Sequence, residues 1–225
     1  MSDGIAPSAP GGMSPHRIEA LGDGVFSIAM TLLVLEIHVP QMPAGASESE
    51  LLGGLLALWP KVLSYAASFV VIGIYWIGHR TQYHYIRRVD RTFLWMNILF
   101  MMFIAFIPFS AALLGNYSGY RTAVIIYGCN LIAAGLALLL HWWYATSGRR
   151  LVDHDLDEAF VRVVNTRILV APCIYLGAIA LSFISTRASL VVCALVLLYY
   201  ILPGQVDRHF RFRPPGEIKQ PRDKQ

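Results

Sequence analysis

Charged side chains are scarce in this sequence. Asp, Glu, Lys and Arg make up 14% of the 225 residues, whereas apolar residues make up 56% and the mean hydropathy is +0.54. Ordinary water-soluble domains contain about 25% charged residues. The composition therefore excludes a water-soluble globular domain and predicts a membrane protein.

Cysteine is also rare. The three cysteines, Cys129, Cys173 and Cys193, all lie inside apolar stretches. This placement excludes a disulfide framework and predicts no metal site. We expect three small, buried, apolar side chains.

Catalytic and ion-filter motifs are missing as well. The chain has no Gly-x-Ser-x-Gly, His-Glu-x-x-His or phosphate-loop motif and no paired intramembrane aspartates. We therefore expect no enzymatic activity and no cofactor. The motif Thr-Val-Gly-Tyr-Gly is absent too, which excludes a carbonyl-type potassium filter.

What the chain does contain is six apolar stretches. A helix needs about 20 residues to cross the hydrocarbon core of a bilayer. The stretches occupy residues 18–39, 55–78, 93–114, 121–144, 167–185 and 188–203, of which the last is the shortest. The predicted fold is all-α, a polytopic membrane protein with six transmembrane helices per subunit.

These stretches form one predicted domain, residues 16–204. Residues 1–15 are a Gly/Pro/Ser-rich tail without the features of a signal peptide, so we expect the first span to be retained. Residues 205–225 form a basic tail. Because the opening segment has no second copy in residues 93–225, a transporter built from matching halves is disfavoured and a homo-oligomer is worth considering.

The basic residues are distributed unevenly across the predicted spans. If both termini lie on one side, that side holds 15 of the 18 Lys and Arg residues, and the other side holds only Lys61, Arg121 and Arg187. The positive-inside rule then places both termini in the cytoplasm of a multi-pass protein of the cell (plasma or inner) membrane. The basic tail is expected to contact anionic lipid headgroups and not nucleic acid.

The first span, "HRIEALGDGVFSIAMTLLVLEIHVP", begins with several charges. Arg17 and Asp23 are six residues apart and point about 240° from each other, so they cannot pair along one helix. Partners must come from elsewhere, and the end of the second span offers Trp76, His79 and Arg80. We predict an interhelical polar cluster containing Arg17, Asp23 and His79. The alternative for Arg17 and Glu19 is simple contact with headgroups.

Two further features of the spans bear on function. Asn97, near the start of the third span, is predicted to hydrogen-bond across helices and to join the structural polar network with Trp76. In the first span Ile28, Leu32 and Leu35 form one apolar stripe with Thr31 beside it. The pattern alone favours packing against a helix or lipid over the lining of a pore.

The segment "RIEALGDGVFSIAMTLLVLEI" resembles the first span of the transmembrane protein 175 family, the endolysosomal potassium channel and its bacterial relatives. The family motif is Arg-x-x-x-Phe-Ser-Asp followed by Gly-Val-Phe-Ala-Ile-Ala-Ile-Thr-Leu-Leu-Val. The matching positions are Arg17, Asp23, Gly24, Val25, Phe26, Ile28, Ala29, Thr31, Leu32, Leu33 and Val34. Leu21 and Gly22 depart from the motif, and Ser27 and Met30 are milder changes. "YWIGHR" and "NILFMMFIAFIPFS" resemble the second and third spans of the family.

The resemblance implies a function. Bacterial members carry one six-span repeat and form tetramers in which the first helices line a pore that apolar side chains constrict. By motif position the constriction falls on Ile28, with Leu32 and Leu35 as further layers and Thr31 nearby. The implied protein is a homotetrameric, modestly potassium-selective cation channel with potassium and other monovalent cations as permeant ions.

Several alternatives stay open at this point. Glu36 either concentrates cations at the outer mouth or is a solvated carboxylate, and His38 is more simply an interfacial histidine than a pH sensor. A proton-coupled secondary transporter using Asp23 and His79 is one competing function. A non-conducting membrane scaffold is another.

Overall fold

The computed structural model describes residues 15–153 and 155–201, which contain seven α-helices and no β-strand. The helices are α1 (Pro15–Leu35), α2 (Glu48–Ala57), α3 (Trp59–Tyr85), α4 (Arg91–Asn116), α5 (Arg121–Thr146), α6 (Glu158–Ser182) and α7 (Thr186–Ile201). A single 3-10 turn, Ser147–Arg149, follows α5. The predicted all-α class is confirmed.

Five of the helices, α1, α3, α4, α5 and α6, are long and apolar enough to cross a membrane. The sixth apolar helix, α7, has 16 residues. At 1.5 Å per residue it is about 24 Å long, which is less than the roughly 30 Å of a hydrocarbon core. The sixth predicted span is thus present as a shorter apolar helix.

The second span starts and ends later than predicted. It begins at Trp59, because Pro60 suits the first turn of a helix, and it continues seven residues beyond 78, to Tyr85. The preceding residues form the separate helix α2, which a capping box between Ser47 and Glu50 starts. In that box the backbone N–H and hydroxyl of Ser47 donate to the Glu50 carboxylate and lower its pKa.

The fifth span also differs from its prediction. α6 begins at Glu158, nine residues before position 167, because the Asp157 side chain accepts from the backbone N–H of Ala159 and caps the helix. Pro15 is the first residue of α1 and not the last residue of a tail. Residues 1–14 and 202–225, which hold the rest of the two predicted tails, lie outside the described residues.

The helices pack mainly with their neighbours in sequence. α1, α3 and α4 contact one another, α4 packs on α5, α5 on α6, and α6 on α7. One apolar core runs through this arrangement and includes Phe26 of α1, Phe100 of α4 and Leu131 of α5. α1 therefore has neighbours on one side only, within the described chain.

A second apolar core lies where α3 and α5 end and α4 and α6 begin. It contains Tyr83, Phe93, Trp142, Val152 and Phe160. The loop after α5 joins this core, because the backbone N–H of Arg87 donates to Leu151 O over 2.8 Å and Arg87 pairs with Asp153 at 2.8 Å. The second core holds together the helix ends that carry most of the arginines of the described chain.

The prediction for the cysteines is partly wrong. Cys129 and Cys173 are exposed on the subunit surface, and only Cys193 is half-buried. α5 and α6 turn other residues toward the core, so these small side chains are left facing outward. All three are free thiols, as expected.

Candidate pore helix and its polar contacts

α1 has one fully buried face. The buried residues follow each other at intervals of three or four, which places them on one side of a helix. They are Ile18, Gly22, Phe26, Ala29 and Leu33. This face packs against α3 and α4.

The opposite face of α1 carries the predicted constriction residues. Ile28 is 60% exposed, Leu32 42% and Leu35 66%. Leu21, the departure from the family motif, is exposed on the same side. The single chain therefore presents a continuous apolar stripe that none of its own described helices covers.

Thr31 lies on the exposed face beside this stripe. Its hydroxyl donates to Ile28 O over 2.9 Å, and the Ser27 hydroxyl likewise donates to Asp23 O over 2.8 Å. Both hydroxyls thus satisfy carbonyl groups of their own helix. The oxygen of Thr31 remains able to accept a hydrogen bond from water or to contact a cation on the exposed side.

Asp23 connects α1 to α3. Its carboxylate accepts a hydrogen bond of 2.8 Å from the indole N–H of Trp76. The sequence predicts His79 as a neighbour of this carboxylate, but the hydrogen bond comes from Trp76, one turn earlier on α3. The helix-to-helix contact predicted for Asp23 is therefore present, and its donor is Trp76, another residue of the predicted polar network.

His79 connects α3 to α4 instead. Its Nε2 donates to Asn97 Oδ1 over 3.0 Å, and both side chains are 1% exposed. The ring also stacks against Phe100, with centroids 5.5 Å apart. Asn97 thus makes the cross-helix hydrogen bond that the sequence predicts.

Arg17 does not join these contacts. Its side chain is exposed and forms no hydrogen bond or ion pair with the described residues. The reason is its helical position, since Arg17 is four residues before Leu21 and eleven before Ile28, on the face turned away from α3 and α4. The predicted contact of Arg17 with the polar cluster is not made among the described residues.

Near the start of α1, Glu19 and not Arg17 pairs with a charged side chain of α3. Its carboxylate lies 3.9 Å from the Arg80 guanidinium, which also lies over the Trp76 ring at 5.7 Å from the centroid. The arginine is more than half exposed, so the ion pair itself adds little stability. The α1–α3 contact therefore depends mainly on the buried face and on Asp23.

Gly22 permits the close approach of α1 and α3. A Cβ atom added here would lie 2.9 Å from His79 Cε1 and 3.3 Å from Met101 Cε. The family motif has serine at this position. Here the glycine leaves room for the His79 ring to pack directly onto the α1 backbone.

A second buried pair escaped the sequence analysis. His141 Nδ1 donates to Gln82 Oε1 over 2.8 Å, and Gln82 Nε2 donates to Leu138 O over 3.2 Å. The His141 ring stacks 5.9 Å from that of His79. A histidine inside a predicted span was the available signal, because an intramembrane polar side chain needs a partner.

Glu36 lies outside the apolar stripe. Just beyond the end of α1, it lines a small cavity of about 10 Å³ together with Lys61 of α3 and Asn116 of α4. The carboxylate is half-buried and faces the side of α1 that packs on these helices. His38 Nδ1 is 3.2 Å from Glu36 O and the residue is exposed.

Comparisons with known proteins agree with this arrangement. A family model for the endosomal/lysosomal potassium channel TMEM175 matches residues 17–108. The chain is 35% identical over 188 residues to a potassium channel of Streptomyces collinus, and the alignment covers 82% of this chain and 90% of the relative. It is 36% identical over 197 residues to a potassium channel of Chamaesiphon minutus, and this alignment covers 86% of the chain and 97% of the relative.

A solved structure is also similar. It is the crystal structure of a lysosomal potassium-selective channel TMEM175 homolog from Chamaesiphon minutus. The two chains superpose with a TM-score of 0.73 at 36% identity, over 84% of this chain and 96% of the other. At this identity the likeness concerns the family as well as the fold.

Proposed function

Because the chain belongs to the family of the endosomal/lysosomal potassium channel TMEM175, we propose that it forms a potassium-preferring cation channel lined by α1 from each of four subunits. The relatives are potassium channels and the family is one of ion channels, not of enzymes.

One observation carries the proposal, the two-sided character of α1. Its inner face is buried against α3 and α4, whereas Ile28, Leu32 and Leu35 stay exposed in line with one another. From Ile28 to Leu35 the stripe is about 10 Å long at 1.5 Å per residue. Four such stripes around one axis make an apolar neck of that length.

An apolar neck acts through the hydration of the ion. A cation that enters it loses or distorts part of its water shell and receives no protein oxygen in return. Sodium holds its water more tightly than potassium, so sodium meets the higher barrier, and selectivity is modest. The same neck closes when it dewets, and its narrowest layer is Ile28.

The polar contacts hold this helix in place. Asp23 and Trp76 join α1 to α3, and His79 and Asn97 join α3 to α4. A proton relay between Asp23 and His79 is not favoured, because each of these side chains is hydrogen-bonded to a different partner. Their role in the proposal is structural, and neither contacts the permeant ion.

The proposed orientation places both termini in the cytoplasm. Among the described residues, the ends of α3 and α5 and the starts of α4 and α6 carry the arginines on that side. The opposite side has Lys61, Arg121 and Arg187. This asymmetry follows the positive-inside rule for a protein of the cell membrane.

Reconstitution of the full-length protein tests the function. In planar bilayers with a gradient of potassium chloride as the only salt, we expect single-channel currents that reverse near the potassium equilibrium potential, and light scattering in detergent should give the mass of four chains. Saturable flux that requires a proton gradient would instead support a transporter, and absence of any flux a scaffold. Either result overturns the channel.

The variant Ile28→Asn tests the constriction. A polar ring hydrates the neck, so we expect the sodium-to-potassium permeability ratio to rise. Leu176→Asn is the matched control, because Leu176 is a similarly exposed apolar residue on α6. An unchanged ratio in Ile28→Asn, or an equal rise in the control, would remove the constriction from Ile28.

A further inference from the structure

A large groove lies between α3 on one side and α6 and α7 on the other. Its volume is about 620 Å³, within the roughly 300–1,000 Å³ typical of ligand sites. Along their described lengths α3 and α6 have no Cα atoms within 8 Å of each other, so the space between them stays open. Tyr75, Leu138, Tyr175 and Val196 form its floor and are buried.

The groove is apolar along most of its length. On α3 it extends from Phe69 to Thr81, which is about 18 Å at 1.5 Å per residue. The lining over this distance is aliphatic and aromatic, and the hydroxyl of the floor residue Tyr75 is satisfied by Leu131 O. The groove therefore suits a long apolar chain lying parallel to α3.

Polar groups are concentrated at one end of the groove. Thr81, Arg167 and Tyr200 line it there, near the end of α3. The Arg167 guanidinium lies over the Tyr200 ring at 5.8 Å from the centroid, and the Tyr200 hydroxyl donates to Arg167 O. The cation is thus held at the groove's end, nine residues into α6.

We propose that this groove binds one acyl chain of an anionic phospholipid, with the lipid phosphate at Arg167. Arg167 places a positive charge at the polar end of this groove, and an arginine guanidinium can donate two parallel hydrogen bonds to a phosphate. An amphiphile with an apolar tail and an anionic head complements this groove, which is apolar along most of its length and basic at one end. In the orientation proposed above, the head lies in the cytoplasmic leaflet, which is rich in anionic lipid.

Photolabelling of the full-length protein locates the acyl chain. The protein is placed in phosphatidylcholine vesicles that contain phosphatidylglycerol with a diazirine in its acyl chain, and labelled peptides are identified after irradiation. We expect label on residues 69–81 of α3 and 164–175 of α6. Ala171→Phe fills the groove and should remove most of this label, whereas Ala180→Phe, on the exposed surface of the same helix, should not.

A second variant tests the headgroup. Arg167→Gln should reduce the preference for phosphatidylglycerol over phosphatidylcholine roughly fivefold, the factor expected for one basic residue beside anionic lipid. Arg162→Gln is the matched control, since Arg162 is exposed on α6 and does not line the groove. Both arginine variants should elute from size exclusion like the unmodified protein.

Three results would overturn the lipid site. They are groove label that persists in Ala171→Phe, an unchanged headgroup preference in Arg167→Gln, and crosslinks from the groove to a second copy of the chain, which would make it a subunit interface. Labelling does not require ion conduction. Failure of the lipid site and failure of the channel are therefore separate results.

Discussion

The two faces of α1 have similar amino acids and opposite surroundings. Phe26 on one face is 1% exposed and packs against α3 and α4, whereas Ile28 on the other is 60% exposed. They are only two positions apart in the sequence. The difference shows that apolar character alone does not decide which side of a membrane helix packs within the subunit.

The physical reason lies in the solvent. Lipid tails are as apolar as leucine, so an exposed apolar stripe costs little in a bilayer, and helices associate through close packing and hydrogen bonds. The inner face of α1 has both, through Gly22 and through the Asp23 and Trp76 contact. The outer face has neither, and in the proposed channel it faces other subunits and the ion pathway.

The largest effect is expected for Phe26→Ala. Truncation of a fully buried aromatic costs about 3–5 kcal/mol in soluble proteins, and we expect the lower end, about 3 kcal/mol, because lipid does not penalise apolar exposure as water does. Unfolding of the detergent-solubilised protein by increasing sodium dodecyl sulfate measures the change. A loss below that of Ile28→Ala would contradict the assignment of faces.

Two glycines of α1 should respond to alanine with opposite signs. Gly22→Ala places a Cβ 2.9 Å from the His79 ring, and overpacking of about 1–3 kcal/mol exceeds the gain of about 1 kcal/mol in helix propensity. The Cβ added by Gly24→Ala meets no atom within 4 Å, so this variant should keep the gain in helix propensity. The same unfolding assay compares the two variants. A stabilising effect of Gly22→Ala would contradict the close contact between the α1 backbone and the His79 ring.

The hydrogen bond from Trp76 to Asp23 is expected to contribute about 1.5–3 kcal/mol, the range for bonds to charged groups. A double-mutant cycle with Asp23→Ala and Trp76→Phe isolates it. The losses in free energy of unfolding caused by the two single substitutions should then sum to more than the loss in the double variant. Simple additivity would show that the bond does not stabilise the α1–α3 contact.

The smallest effect on stability is expected for Ile28→Ala. Its side chain contacts little within the subunit, so the free energy of unfolding of a dissociated subunit should change by less than about 0.5 kcal/mol, as for surface positions. For this measurement the protein is diluted in detergent until light scattering shows single chains. A loss of several kcal/mol would place Ile28 in the subunit's own core.

Much of the fold could be predicted from the sequence. Long apolar runs in a chain with few charges must form helices in lipid, because backbone groups have no other partners there. The ends of those helices were less predictable, since local capping decides them, as Pro60 at the start of α3 and Asp157 at the start of α6 illustrate. The missed pair of His141 and Gln82 depends on which faces of α3 and α5 meet, and sequence spacing within one helix does not contain that information.

The sequence by itself determined the membrane environment, the all-α class, the asymmetry of basic residues and the apolar stripe of Ile28, Leu32 and Leu35. These features depend on composition and on periodicity along one helix. Only the tertiary structure decided that the stripe faces away from the subunit's own helices, that Asp23 bonds to Trp76 and that Arg17 has no partner in the described chain. Such contacts are set by the rotation and depth of neighbouring helices, and those follow from close packing at positions such as Gly22.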